Sequence, residues 1–296
     1  MNFCTLALEI AAVGLTVTTY AAENVELRSG PRVLAKYNLV APTGTKLVVD
    51  SGDFLHPVYT PNGTVITDLA PSDHPHHRGV FLGWVEMHGA KDADFWGWGE
   101  HAPIKGRRIQ NRGISFAQLR SKLYTMSDWV ADDSTLIREK LTVISRFTSD
   151  NVYTFELDYE LTPLSDIKLT RWAFSGFCLR TRKEGEIAFF SPNGLVTLPN
   201  PSHLKPESDW PDEQWYACTV KLESGLSGAA IINHPSNPPT FWHNHRDVRM
   251  LNPCIVAPAE VNLIKDKPMR LRYCVVTFDG EAPTATLNRI AFEFRK

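Results

Sequence analysis

The stretch Tyr153-Thr154-Phe155-Glu156-Leu157-Asp158-Tyr159-Glu160-Leu161 alternates apolar and polar side chains without a break. Successive side chains of an extended chain point to opposite faces, so this pattern fits a β-strand with one face in a core and one in water. The same two-residue period recurs from Leu141 to Phe147, from Cys218 to Leu222, from Met269 to Val275 and from Ile290 to Phe294, with turn-forming residues between the segments. Helical periodicity is scarce and no βαβ pattern recurs, which disfavours a nucleotide-binding α/β fold. The expectation is an all-β protein built as a large antiparallel β-sandwich.

Such a sandwich accommodates a chain of 296 residues as one domain. With 43 % hydrophobic and 22 % charged residues, the chain has the makings of a substantial core. The first 22 residues are apolar and end in Tyr20-Ala21-Ala22, which predicts a signal peptide over 1–22 and a mature domain over 23–296, secreted or periplasmic. No later stretch approaches the roughly 20 apolar residues of a membrane span. Basic and acidic residues nearly balance at 31 and 33, and no Lys/Arg block exists to follow a phosphate backbone, so nucleic acid is not an expected partner. Beyond the leader, Cys178, Cys218, Cys254 and Cys274 lack metal-binding or redox spacing, and either disulfides or buried thiols satisfy them.

Two segments break the strand period, one from about His56 to Arg108 and one from Asn233 to Pro253, and both read as long loops. Between them they carry nine of the ten histidines and four of the eight tryptophans. Long loops on a rigid sheet are a usual place for binding and catalytic groups. The run Asp73-His74-Pro75-His76-His77-Arg78-Gly79 packs three imidazoles and a guanidinium into six positions, groups that move protons, ligate metals or hold an anionic oxygen. His74, His76, His77, Arg78 and His243 are therefore the catalytic candidates. A divalent metal is one cofactor these histidines could hold, with His88, His101, His243 or His245 completing the ligand set.

Aromatic rings beside polar groups suit sugars, because the C–H face of a pyranose stacks on indole while neighbouring polar side chains bond its hydroxyls. Trp84, Trp96, Trp98, His101, His234, Asn237 and Trp242 are the substrate-binding candidates on this reasoning. Five carboxylates, Asp73, Glu86, Asp92, Asp94 and Glu100, lie in the first loop segment and could serve acid–base chemistry. Arg180, inside the strand-like Gly176 to Arg180, could stabilise an anion or form a structural ion pair. No phosphate-binding loop, dinucleotide fingerprint, zincin helix or Gly-x-Ser-x-Gly elbow is present.

The segments Pro61-Asn62-Gly63, Asp73 to Gly79, Phe95-Trp96-Gly97, His234-Pro235-Ser236-Asn237 and Trp242-His243 together resemble a family labelled PmoA-like. That label comes from a membrane-embedded methane-oxidising subunit, with which a chain lacking an internal span disagrees. The resemblance implies a β-sandwich similar to galactose-mutarotase-like folds, although a fold does not assign a reaction. The expectation from residues and resemblance is a secreted carbohydrate-active enzyme, a glycoside hydrolase or polysaccharide lyase acting on an oligo- or polysaccharide. Its rivals are a non-catalytic glycan-binding module and a metal-dependent enzyme using the loop histidines.

Overall fold

A computed structural model describes residues 23–197 and 210–296, so the expected leader over 1–22 lies outside the described residues. Strands are numbered in chain order. A six-stranded sheet has the order β1 (Asn24–Ser29), β2 (Arg32–Asn38), β3 (Phe54–Val58), β4 (Val80–Gly83), β11 (Gly176–Arg180), β17 (Met250–Leu251). A nine-stranded sheet runs β13 (Gly194–Val196), β12 (Glu186–Ser191), β14 (Trp215–Leu222), β15 (Gly225–Asn233), β20 (Met269–Asp279), β9 (Tyr153–Pro163), β8 (Ser134–Phe147), β7 (Lys122–Ala131), β6 (Arg107–Ala117). Two small sheets, β19 (Val261–Leu263) with β10 (Ile167–Leu169) and β5 (Met87–His88), and β16 (Phe241–Trp242) with β18 (Pro253–Cys254), complete the set. Every strand pairing in these sheets is antiparallel, and the expected all-β sandwich is the architecture found.

The period that announced β9 also builds its core: Phe155, Leu157, Tyr159 and Leu161 are buried while Glu156, Asp158 and Glu160 are less so. Across the sandwich Phe177 of β11 stacks on Tyr273 of β20 with centroids 4.0 Å apart and meets Tyr159 of β9 edge-on at 6.3 Å. Between the sheets also lie two buried carboxyls. Glu139 accepts from the Trp129 indole N–H at 2.8 Å and Asp53 accepts from Asn111 at 3.0 Å. Burial pushes both upward, and the Asp53 charge raises Glu139 further.

Ile290 to Phe294, expected as a strand, forms instead the end of the helix α1 (Thr284–Phe294). A five-residue window there satisfies both periods, but Leu287, Ile290, Ala291 and Phe294 occupy helical offsets and are the residues buried, against Trp215, Ile232, Cys274 and Val276 on the outer face of the nine-stranded sheet. Phe292, which a strand would have buried, is 65 % exposed. The first expected loop segment also contains structure, since β4 and the end of β3 run through the middle of the six-stranded sheet. Cys178, Cys218, Cys254 and Cys274 are buried free thiols. Among the described residues no helix is long and apolar enough to cross a membrane.

Candidate functional site

Strand period decides what the outer face of the six-stranded sheet carries. In β4 and β11, Val80, Leu82, Phe177 and Leu179 face the inter-sheet core, so Phe81 and Cys178 face the other way, into a second cluster with Phe54, Val85, Trp96, Phe174 and Met250. On this apolar bed lies a pocket of about 80 Å³, lined by His74, His76, His77, Trp96, Trp98, Phe174, His243, His245, Val248 and Met250.

Two loops are locked together beneath it. Arg78 is fully buried, lies 4.3 Å over the Phe81 ring, and donates to the carbonyls of Phe95 at 2.9 Å, His76 at 3.2 Å and Trp96 at 3.3 Å. Burial lowers its pKa to about 10, which leaves it cationic. The carboxylate of Asp94 accepts the backbone N–H groups of Gly97 at 2.6 Å and Gly99 at 2.7 Å, folding the Trp96–Gly99 turn around itself. Gly97 has φ +106°, and a Cβ there would sit 2.6 Å from both His76 Cβ and Val49 Cγ1, so only glycine lets the turn approach the histidine loop. Gly79 (φ +65°) similarly passes the Leu55 carbonyl, which a Cβ would approach to 2.2 Å, as the chain leaves the histidines and enters β4.

The imidazoles form one cluster. His74 stacks on His77 at 5.0 Å, His76 meets His77 edge-on at 4.6 Å, and His77 meets Trp96 edge-on at 5.5 Å. His243 lies 5.9 Å from His245 and 5.6 Å from Phe174 across the pocket. Behind the cluster, Arg180 Nη2 donates to both Asp73 oxygens, at 3.0 and 2.9 Å, and Nη1 donates to His77 Nδ1 at 3.4 Å. Guanidinium cannot accept a hydrogen bond, so His77 Nδ1 is the acceptor and its proton resides on Nε2. Burial, with the nearby cations, holds His77 neutral and pushes His76 down to about 3. His76 Nε2 is buried without a hydrogen-bond partner. Burial alone would raise Asp73, but bonds from Arg180 and His74 and the Arg180 charge outweigh it and hold the carboxyl down to about 2. Asp73 is thus ionised and receives His74 Nδ1–H at 3.1 Å, which leaves Nε2 of a neutral His74 as the nitrogen with a free lone pair.

The structure brings together His74, His76, His77, His243, Trp96 and Trp98 and leaves the other candidates elsewhere. Arg78 is a strut under the pocket. Trp84 packs on Trp129 at 5.3 Å in the inter-sheet core, just beyond the end of β4. Trp242 is fully buried against Tyr216, with its N–H on the Glu213 carbonyl. His234 bonds Arg272 at 2.6 Å and Ser236 at 2.7 Å, while Asn237 exchanges bonds with the Arg272 backbone at 2.8 Å in both directions, fastening that loop to β20. His101 sits outside the pocket on the Trp172 ring. His245, weighed in the sequence only as a metal ligand, lines the pocket, as does Phe174, for which no sequence signal existed. Among the described residues no group of three or more His, Cys, Asp or Glu side chains is disposed to hold one metal ion.

Residues 24–291 match the family described as Family of unknown function (DUF6807). This corrects the PmoA-like resemblance, which rested on short loop motifs rich in His, Pro and Gly, whereas this match extends over nearly the whole described chain. No curated protein matches the sequence. Among solved structures, the chain is similar to a galactose mutarotase related enzyme from Lactobacillus acidophilus (7 % identity, 86 % of this chain, 97 % of that one, TM-score 0.44). It is also similar to a galactose mutarotase-like protein from Lactobacillus casei (8 % identity, 86 % and 99 %, TM-score 0.44). A third is provisionally titled a kojibiose phosphorylase, from the human microbiome (10 % identity, TM-score 0.37); 88 % of this chain is covered, and it spans 29 % of that one.

Proposed function

The chain belongs to this family of unknown function, and from that premise we propose that its histidine pocket binds an oligo- or polysaccharide and cleaves a glycosidic bond by elimination, as a polysaccharide lyase does. The observation that carries the reading is the double use of Arg180, which secures Asp73 behind His74 and donates to His77. One imidazole is thereby prepared as a base and its stacked neighbour as a donor, the separation of roles that acid–base sites are built on.

His74 Nε2 removes the proton from the carbon beside a uronate carboxylate, while His77 Nε2–H bonds the carboxylate as negative charge develops on it. The electron pair forms the carbon–carbon double bond, the adjacent C–O glycosidic bond breaks, and the departing oxygen takes back the proton held by His74. The aromatic rings of Trp98 and Phe174 offer apolar surface for the sugar. Hydrolysis by a carboxylate pair is less well supported: among the described residues no acidic side chain lines the pocket, Asp73 is engaged by Arg180 and His74, and Asp94 by two backbone amides. The reading includes export on the strength of the 1–22 segment, which sequencing the amino terminus of protein recovered from outside the cytoplasm would test.

Incubation with a panel of neutral and uronate-containing polysaccharides tests the chemistry. Ultraviolet-absorbing unsaturated ends are expected, lost in His74→Ala and His77→Ala variants that melt like the parent. Reducing ends without unsaturation would replace elimination by hydrolysis. Binding with neither product would make the protein a glycan-binding module, and activity abolished by chelator and restored by a divalent metal would favour the metal-dependent rival.

A further inference from the structure

The aromatic wall does not end at the pocket rim. Trp98 packs on Phe174 at 5.3 Å, Phe174 on Trp172 at 6.1 Å, and Trp172 on His101 at 4.5 Å. Trp98 and Trp172, on either side of buried Phe174, are both partly exposed, and the His101 side chain is 40 % exposed. Trp172 is held by a chain of polar groups: its indole N–H donates to Glu86 Oε2 at 2.9 Å, Glu86 Oε1 pairs with His88 Nε2 at 2.7 Å, and His88 Nδ1 pairs with Asp92 at 2.9 Å. The bonds to Asp92 and Glu86 raise His88, which favours the cation that anchors Glu86.

The core indole of Trp129 also bonds a carboxyl, but Trp129 is fully buried, whereas Trp172 keeps part of its ring at the surface beside an exposed imidazole. An indole set at a fixed angle and flanked by a carboxylate and an imidazole has the chemistry that recognises a pyranose, apolar face on the ring and hydroxyls on the polar edge. We infer that Trp172, with His101 and Glu86, forms a second sugar subsite beyond the histidine pocket, so that the ligand is a saccharide of at least two residues running from Trp98 across Phe174 to Trp172. The inference rests on the reading that the histidine pocket binds sugar.

The test is calorimetric titration of the full chain with two ladders of one to four residues, oligogalacturonides and cello-oligosaccharides. The parent is expected to gain affinity from one residue to two on the ladder it accepts. Trp172→Ala should remove about 2- to 10-fold of affinity for two residues and longer, the worth of a single aromatic contact, and leave the single sugar unchanged. Glu86→Gln, which keeps an acceptor for the indole but loses the anchoring charge, should give a smaller loss with the same length dependence, and it stands in if Trp172→Ala does not fold. Equal losses for one and two residues, or no loss, would overturn the second subsite alone. Failure of the parent to bind any member of either ladder would overturn the subsite and the sugar reading together.

Discussion

Replacing Asp73 by Asn removes one charge from the centre of the proposed machinery and almost nothing else. Asp73 holds the guanidinium of Arg180, whose side chain is 1 % exposed, and orients His74. Holding the carboxyl down from 3.8 to about 2 corresponds to at most about 2.5 kcal/mol. Its side chain is 32 % exposed, so solvent screening trims that share to about 1 kcal/mol. Leaving a buried guanidinium with only an amide oxygen adds to the cost, though less than the roughly 3–5 kcal/mol of a wholly buried pair. The expected destabilisation at neutral pH is about 2 kcal/mol, a fall of roughly 4–8 °C in melting temperature for a domain of this size. Because folding depresses this carboxyl, its contribution is present above the unfolded value near 4 and disappears as pH falls towards 2, so the two melting curves should converge in acid. The amide also no longer requires the Nδ1–H form of His74, and kcat/KM should drop by about 100-fold or more. Thermal melts across pH and initial rates at saturating and limiting substrate measure both. Rates within threefold of the parent, alongside the predicted loss of stability, would refute His74 as an Asp73-oriented base. Unchanged stability at every pH would refute the anchoring of Arg180.

Three further perturbations probe the frame. Burial and the Asp53 charge push Glu139 up to about 8, so wild-type stability should fall as pH rises from about 4 through that value, and Glu139→Gln should flatten the fall and stabilise the alkaline protein by about 1 kcal/mol or more, read by denaturant titration at several pH values. Gly97→Ala, at φ +106° and 2.6 Å from His76 Cβ, should cost about 1–3 kcal/mol and abolish saccharide binding, seen by melting and calorimetry. His234→Ala should cost about 1 kcal/mol through its bonds to Arg272 and Ser236 and leave kcat/KM within twofold, because it does not line the pocket.

Periodicity made β9 and the first half of β20 legible because a strand half in a core must alternate, whereas Cys274 to Phe278 are buried on both faces where α1 covers the sheet. The same reasoning failed at Ile290 to Phe294, where only a longer window that includes Leu287 separates a helical stripe from an alternating one. Histidine density located the pocket, since five of its lining residues are imidazoles from the two segments that break the strand pattern. It could not separate Trp98, presented to the pocket, from Trp84 and Trp242, buried in packing, because an indole beside polar neighbours reads alike in both places. Nor could it pair Asp73 with Arg180, 107 residues away, a contact that exists only once β11 lies beside β4.

The alternating faces of β4 and β11 divide two kinds of selection between neighbouring positions. Val80, Leu82, Phe177 and Leu179 answer to the inter-sheet core, whereas Phe81, Cys178 and Arg180 answer to the pocket bed. Changes at the second set act on the buried bed that carries the histidine loop and not on the packing between the sheets, so they reach the pocket through its floor. A single residue inserted early in β11 would exchange the two sets of that strand, carry the Arg180 charge between the sheets, and erase scaffold and chemistry in one step.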